Sequence, residues 1–155
     1  MTGWKAVQRG VMINYDLETN PLEIRSDSEL RTRDEAEVYF YTSQGVTAGG
    51  VKFNFYYSPQ YFIYRCSEDW TEFPTNPPTA RVKVWSIMVT RSSSKMGLQI
   101  LCNGKEVLNT VLSVSECPKF WDRWFYDYWN RDIAKIGFSK WDTMSDYYRP
   151  YQPGN

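Results

Sequence analysis

The sequence predicts an all-β domain, a two-sheet antiparallel sandwich of jelly-roll type with at most one short helix near residues 118–131. Three observations predict it. Apolar and polar residues alternate with period two in at least eight short segments, as in strands with one buried face. Turn residues separate those segments at short intervals, the punctuation of all-β folds. Aromatic residues make up 17% of the chain, and aromatic side chains favour pleated, half-buried surfaces.

The elements follow in order. Gly10–Asp16 and Leu22–Ser26 read as strands divided by Asn20-Pro21. Glu37–Thr42 is an aromatic run, and a hairpin from Gln44-Gly45 through Gly49-Gly50 joins it to Val51–Tyr57. In that second strand Val51, Phe53, Phe55 and Tyr57 share one face while Lys52, Asn54 and Tyr56 share the other. Tyr61–Cys66 follows Ser58-Pro59 as a further strand. From Cys66 to Arg81 the alternation stops, and Pro74, Pro77 and Pro78 can neither continue a helix nor donate to a ladder. This segment is expected as a long loop, and long loops on sandwiches carry binding groups, so Trp70 and Asn76 become candidates.

Arg81–Thr90 is a strand whose alternation slips near Val84-Trp85, which predicts a β-bulge. Leu98–Cys102 and Lys105–Leu112 flank Asn103-Gly104, the pair favoured in two-residue type I′ hairpin turns. Pro118–Arg131 fits a short helix, with Trp121, Trp124, Phe125 and Tyr128 at helical spacing and Pro118 in the first turn; an irregular aromatic strand is the alternative. Asp132–Phe138 alternates again, and the tail from Tyr147 to Asn155 is expected to be extended.

Residues 1–155 are expected to form one domain, long enough to bury ~70% of the unfolded surface. Eighteen basic and eighteen acidic residues cancel, which removes the net field that would draw in nucleic acid. The chain has no histidine, so the usual catalytic triads and His-based metal sites are excluded. No cofactor and no metal site is expected. Cys66, Cys102 and Cys117 are too few and too dispersed for a zinc site. They allow three alternative disulfides, each leaving one cysteine over. No apolar run reaches the length of a membrane span, and the first twenty residues lack the apolar block of a signal peptide. The aromatic, strand-rich character leans towards secretion, with any signal segment already removed.

Val84 to Asn109, VWSIMVTRSSSKMGLQILCNGKEVLN, resembles the strand–turn–strand–turn–strand block of laminin-G-like and other concanavalin-like sandwiches. Trp85 would open a strand, Arg91 close it, and Asn103-Gly104 turn the hairpin. The ending DIAKIGFSKWDTMSDYYRP is similar to the closing strand and tail of secreted modules from marine invertebrates. The resemblance implies an extracellular recognition module for glycans or matrix proteins, as in cell adhesion. It transfers no binding residue.

Lys119–Arg131, KFWDRWFYDYWNR, carries the densest aromatic cluster. Such density either anchors a core or forms a platform for ligands with apolar faces, and neighbouring charges and amides suit sugar hydroxyls. On a helix Trp121, Trp124, Phe125 and Tyr128 would face the core, leaving Tyr126, Trp129, Asp122 and Arg123 outside. The candidate ligand-binding residues are therefore Trp129, Tyr126, Asp122, Trp124 and Asn130, with Trp70 and Asn76 from the expected loop. Trp141 with Asp142 is a secondary candidate.

Carboxylate pairs such as Asp142 and Asp146, Asp127 and Asp132, or Glu68 and Asp69 are the material for glycoside hydrolysis, if space brings them together. The mixed-charge run Glu29–Glu37 reads as a solvated loop or edge strand. The expected function is extracellular recognition of a glycan or glycoconjugate through an aromatic-rich surface. A protein-interaction or structural matrix module is the alternative, and a carboxylate-based glycoside-active enzyme stands third. The expected partner is a glycan or an extracellular protein, and self-association into a homo-oligomer is compatible with either.

Overall fold

The computed structural model describes residues 3–27, 35–54, 60–66, 69–73, 84–92, 95–113 and 133–152. Among the described residues twelve strands follow one another: β1 (Lys5–Ala6), β2 (Met12–Asn14), β3 (Leu22–Ser26), β4 (Glu35–Thr42), β5 (Thr47–Asn54), β6 (Gln60–Cys66), β7 (Asp69–Phe73), β8 (Trp85–Ser92), β9 (Lys95–Cys102), β10 (Lys105–Ser113), β11 (Ile133–Ser139) and β12 (Asp146–Pro150). They build two six-stranded sheets, ordered β1-β12-β3-β8-β9-β10 and β2-β11-β4-β5-β6-β7. Every strand pairing is antiparallel. The expected all-β sandwich is the fold. Among the described residues there is no helix, and so none long and apolar enough to cross a membrane. The helix expected near 118–131 lies outside the described residues.

Alternation explains the layers. Trp85, Ile87 and Val89 of β8, and Met96, Leu98, Ile100 and Cys102 of β9, are buried, while Ser86, Met88, Gln99 and Leu101 between them are half-buried. Leu22 and Ile24 of β3 join them from the first sheet; Ala36, Val38, Phe40, Val51, Phe53, Ile136 and Phe138 answer from the second, and all belong to one core cluster. Aromatic rings bind the layers. Phe138 of β11 lies 5.3 Å from Tyr148 of β12, in the opposite sheet, and Trp141 meets Phe138 and Phe53 edge-on at 6.1 and 6.0 Å. An ion pair adds a polar tie: Arg91, with a side chain 3% exposed, bonds the exposed Glu18, which also accepts the Ile133 N–H at 3.3 Å.

Several sequence expectations are corrected. The expected Cys66–Arg81 loop contains β7, because Trp70-Thr71 and Phe73 favour strands and β6 supplies a hairpin partner; residues 74–83 lie outside the described residues. Trp70 is therefore a strand residue paired with Tyr64. No bulge interrupts β8, whose register runs unbroken from Trp85 to Ser92; the alternation slips there because the strand begins there. Register shifts occur instead in other pairings, among them β9–β10, where Val107 is inserted between Glu106 and Leu108 and turns inward, and β11–β4, β4–β5 and β6–β7. The β4–β5 turn is short, closed by Gly45 N–H to the Thr42 carbonyl at 2.9 Å, so Gly49 and Gly50 are strand residues.

The Asn103-Gly104 turn holds as expected. Both residues have positive φ, 52° and 79°, the backbone a type I′ turn requires. Cys102 is a buried free thiol, which removes it from two of the three candidate disulfides. Burial also pushes its ionisation up to about 12, so it behaves as a small apolar side chain.

Candidate functional site

The outer face of the second sheet is where aromatic and charged side chains converge. In β4 the core takes Ala36, Val38 and Phe40, each 0% exposed. The intervening Glu37, Tyr39 and Tyr41 must then face away from it. β4 lies inside its sheet, between β11 and β5, so a glycine on either side can admit a ring.

That is the arrangement found. A Cβ built on Gly50 of β5 would meet Tyr39 Cδ1 at 2.9 Å and Cε1 at 3.3 Å. One built on Gly137 of β11 would meet Tyr41 Cε2 at 3.0 Å and its hydroxyl at 3.2 Å. Each phenol therefore leans against a glycine of the neighbouring strand, Tyr39 towards β5 and Tyr41 towards β11. The register extends this row in both directions: Met12 pairs with Gly137, Gly137 with Tyr39, Tyr39 with Gly50, Gly50 with Tyr64 and Tyr64 with Trp70. A charged row runs beside it, in which Ser139 pairs with Glu37 and Glu37 with Lys52.

Glu37 is the polar centre of this face. It accepts the Tyr39 hydroxyl at 2.5 Å and pairs with Lys140 Nζ at 3.4 Å, and its carbonyl accepts the Trp141 indole N–H at 2.7 Å. The residue is only 8% exposed, so the charged run Glu29–Glu37 does not end as a solvated edge. It ends in an interior strand with its last carboxylate paired. Burial raises the Tyr41 phenol above its ordinary range, which keeps it neutral and able to donate a hydrogen bond near neutral pH.

Of the sequence candidates, Trp129, Tyr126, Asp122, Trp124, Asn130 and Asn76 lie outside the described residues. Trp70 is placed by its β7 backbone in the row just described. Trp141 is corrected to a core residue, 1% exposed. The Asp142 and Asp146 pair is corrected as well. These residues close a turn, with Asp142 N–H donating to Asp146 Oδ2 at 2.6 Å and Asp142 accepting Met144 N–H and the Ser145 hydroxyl at 2.8 and 2.6 Å. Sequence reasoning missed Tyr39, Tyr41, Gly50, Gly137 and Glu37 as a site. The available signal was the alternation of Glu37, Tyr39 and Tyr41 against Ala36, Val38 and Phe40, beside a strand opening Gly49-Gly50.

No protein-family model and no curated protein matches the sequence. Solved structures do match in fold. A toad ovary galectin in complex with N-acetylgalactose superposes with TM-score 0.52 at 12% identity, covering 90% of this chain and 98% of the galectin. Xenopus laevis galectin-Ib gives 0.52 at 11% identity over 90% and 98%. The ancestral congerin Con-anc gives 0.51 at 13% identity over 84% and 92%. The fold is galectin-like. At these identities the likeness carries the jelly-roll sandwich and no residue role, and it fits the broad concanavalin-like expectation better than the narrower laminin-G-like one.

Proposed function

We propose that this chain is a glycan-recognition module whose ligand lies on the outer face of the second sheet. The observation that carries the reading is the pair of phenol rings, Tyr39 and Tyr41, each in close contact with a glycine of the neighbouring strand, Gly50 and Gly137, on the outer face. A pyranose has an apolar face and a rim of hydroxyls, so it needs a flat ring beneath it and charged or polar groups alongside. Glu37 and Lys52 stand in the adjoining row. The fold is shared with a toad galectin solved with N-acetylgalactose, which supports the same ligand class. The aromatic segment 119–131, with Trp129 and Tyr126, is a second source of stacking side chains in this proposal. The proposal also places the module outside the cell, and locating the native protein with an antibody, inside or outside its cells, is its check.

The test is calorimetric titration of the wild-type chain with a panel of neutral mono- and disaccharides that includes N-acetylgalactose. Tyr39→Ala and Tyr41→Ala should each weaken binding roughly five- to tenfold, about 1 kcal/mol per lost ring. Failure of every sugar to bind the folded wild-type chain would remove the reading. A protein-interaction reading draws on Val11 and Met12, 49% and 48% exposed beside edge strand β2. It becomes the better one if sugars fail and substitution at Met12 abolishes a partner contact.

A further inference from the structure

The second sheet buries a carboxylate on the side away from its core. Glu37 alternates with Ala36 and Val38, so its strand position is one where a glutamate normally reaches water, yet it is only 8% exposed. Withdrawing a carboxylate from water is unfavourable unless partners replace the lost hydration. The partners are specific. Tyr39 donates its hydroxyl to Oε2 at 2.5 Å, and Lys140 brings its ammonium to 3.4 Å from Oε1. Lys140 has φ +66°, a left-handed residue directly after β11; the reversal takes Lys140 to Glu37 while Trp141 enters the core and donates to the Glu37 carbonyl at 2.7 Å.

The consequence falls on Tyr39. Its ring is supported at one edge by Gly50, where even a methyl group would sit 2.9 Å from Cδ1, and held at its far end by the Glu37 carboxylate. A phenol held at both places is more closely confined than one that has lost the bond at its far end.

We propose that Glu37 is a positioning residue: through the Tyr39 hydroxyl it holds the ring against Gly50 of the neighbouring strand and so sets the surface offered to a ligand. Glu37 acts through Tyr39 and need not touch the ligand. The binding arm of this inference rests on the glycan reading above; the ring-motion arm does not.

The experiment compares Glu37→Gln, Glu37→Ala, Tyr39→Phe and the double variant Glu37→Ala/Tyr39→Phe in the full chain. Rotamer averaging of the ring at position 39 is measured by NMR, from χ1 couplings and ring NOEs to Gly50, with labelled tyrosine, or labelled phenylalanine at the same position in Tyr39→Phe. The ring should hold one rotamer in wild type and in Glu37→Gln, which keeps a side-chain acceptor, and average between rotamers in Glu37→Ala and Tyr39→Phe. Titration with N-acetylgalactose should give roughly five- to tenfold weaker binding in either single loss variant, and no further loss in the double, because both remove one interaction. Glu37→Gln should stay within about twofold of wild type, since its amide oxygen still accepts the Tyr39 hydroxyl although the charge facing Lys140 is lost. Unchanged ring motion in Glu37→Ala, or additive losses in the double variant, would overturn the proposal. If Glu37→Ala fails to fold, Tyr39→Phe carries the same test from the other partner. If no sugar binds wild type, the glycan reading falls, while ring motion still decides the role of Glu37.

Discussion

Glu37 and Asp16 are both carboxylates with hydrogen-bond partners, and burial separates what they do. Asp16 is exposed and organises the turn before β3: it accepts the Thr19 hydroxyl at 2.6 Å and the Glu18 N–H at 3.0 Å. The Thr19 hydroxyl, more than the neighbouring backbone N–H groups, holds the Asp16 carboxyl below its ordinary range. A lowered folded value means the unfolded chain binds the proton more readily. The contribution of Asp16 is therefore present above the unfolded pKa, about 4, and is lost as pH falls through the lower folded value. Melting temperatures of wild type and Asp16→Asn should run parallel near neutrality and converge in acid, as the wild type alone loses this contribution. Parallel curves down to the lowest pH would refute it. Asp16, expected as the last residue of a strand, instead opens this turn with Thr19 and Asn20; only Asn20-Pro21 marked it in the sequence. The partnership of Glu37 with Lys140 was not legible, because a contact across more than a hundred residues leaves no local signal.

The β9–β10 hairpin is the element the sequence specified best. Asn103 and Gly104 supply two successive left-handed residues, and the flanking strands pair from Cys102 with Lys105 onwards. A Cβ at Gly104 would meet nothing within 4 Å, so substitution there costs only backbone conformation. Gly104→Ala should lower stability by about 1–2 kcal/mol in urea unfolding, with little change in the slope. An unchanged or raised midpoint would show that the turn tolerates another backbone. Gly50 and Gly137 are glycines for a different reason: each leaves room for a ring from β4. Composition cannot distinguish these two uses, since the turn glycine is explained by its neighbour Asn103 and the ring-bearing glycines by residues on other strands. The strand β7 was missed for a related reason. Its prolines follow it, and a short stretch with one hairpin partner shows little periodicity of its own.

For the whole molecule, the sandwich depends on side chains that join the sheets. Trp141 is the largest fully buried residue, packed between Phe53 and Phe138 and hydrogen-bonded to the Glu37 carbonyl. Trp141→Ala should cost ~3–5 kcal/mol, from lost burial, the cavity left behind and an unsatisfied carbonyl. Denaturant unfolding measures it, and a loss below about 1 kcal/mol would mean the core relaxes into the space. The Arg91–Glu18 pair makes a second join, from β8 to the turn that also receives the Ile133 N–H. In sequence Arg91 closed a strand of the expected sandwich block; in space its guanidinium is buried and serves assembly.

Sequence by itself determined the class of this protein. Period-two alternation specifies one-sided strands, Asn103-Gly104 specifies a hairpin, and neutral charge without histidine narrows the chemistry; all are properties of short windows or of composition. Tertiary structure decided which aromatic residues serve the core and which lie on the outer face. Trp141 went inward and Tyr39 and Tyr41 outward, because each choice depends on a partner from another strand: Phe53 and Phe138 for the indole, Gly50 and Gly137 for the phenols. Pairing between distant strands sets those partners, and no local pattern encodes it.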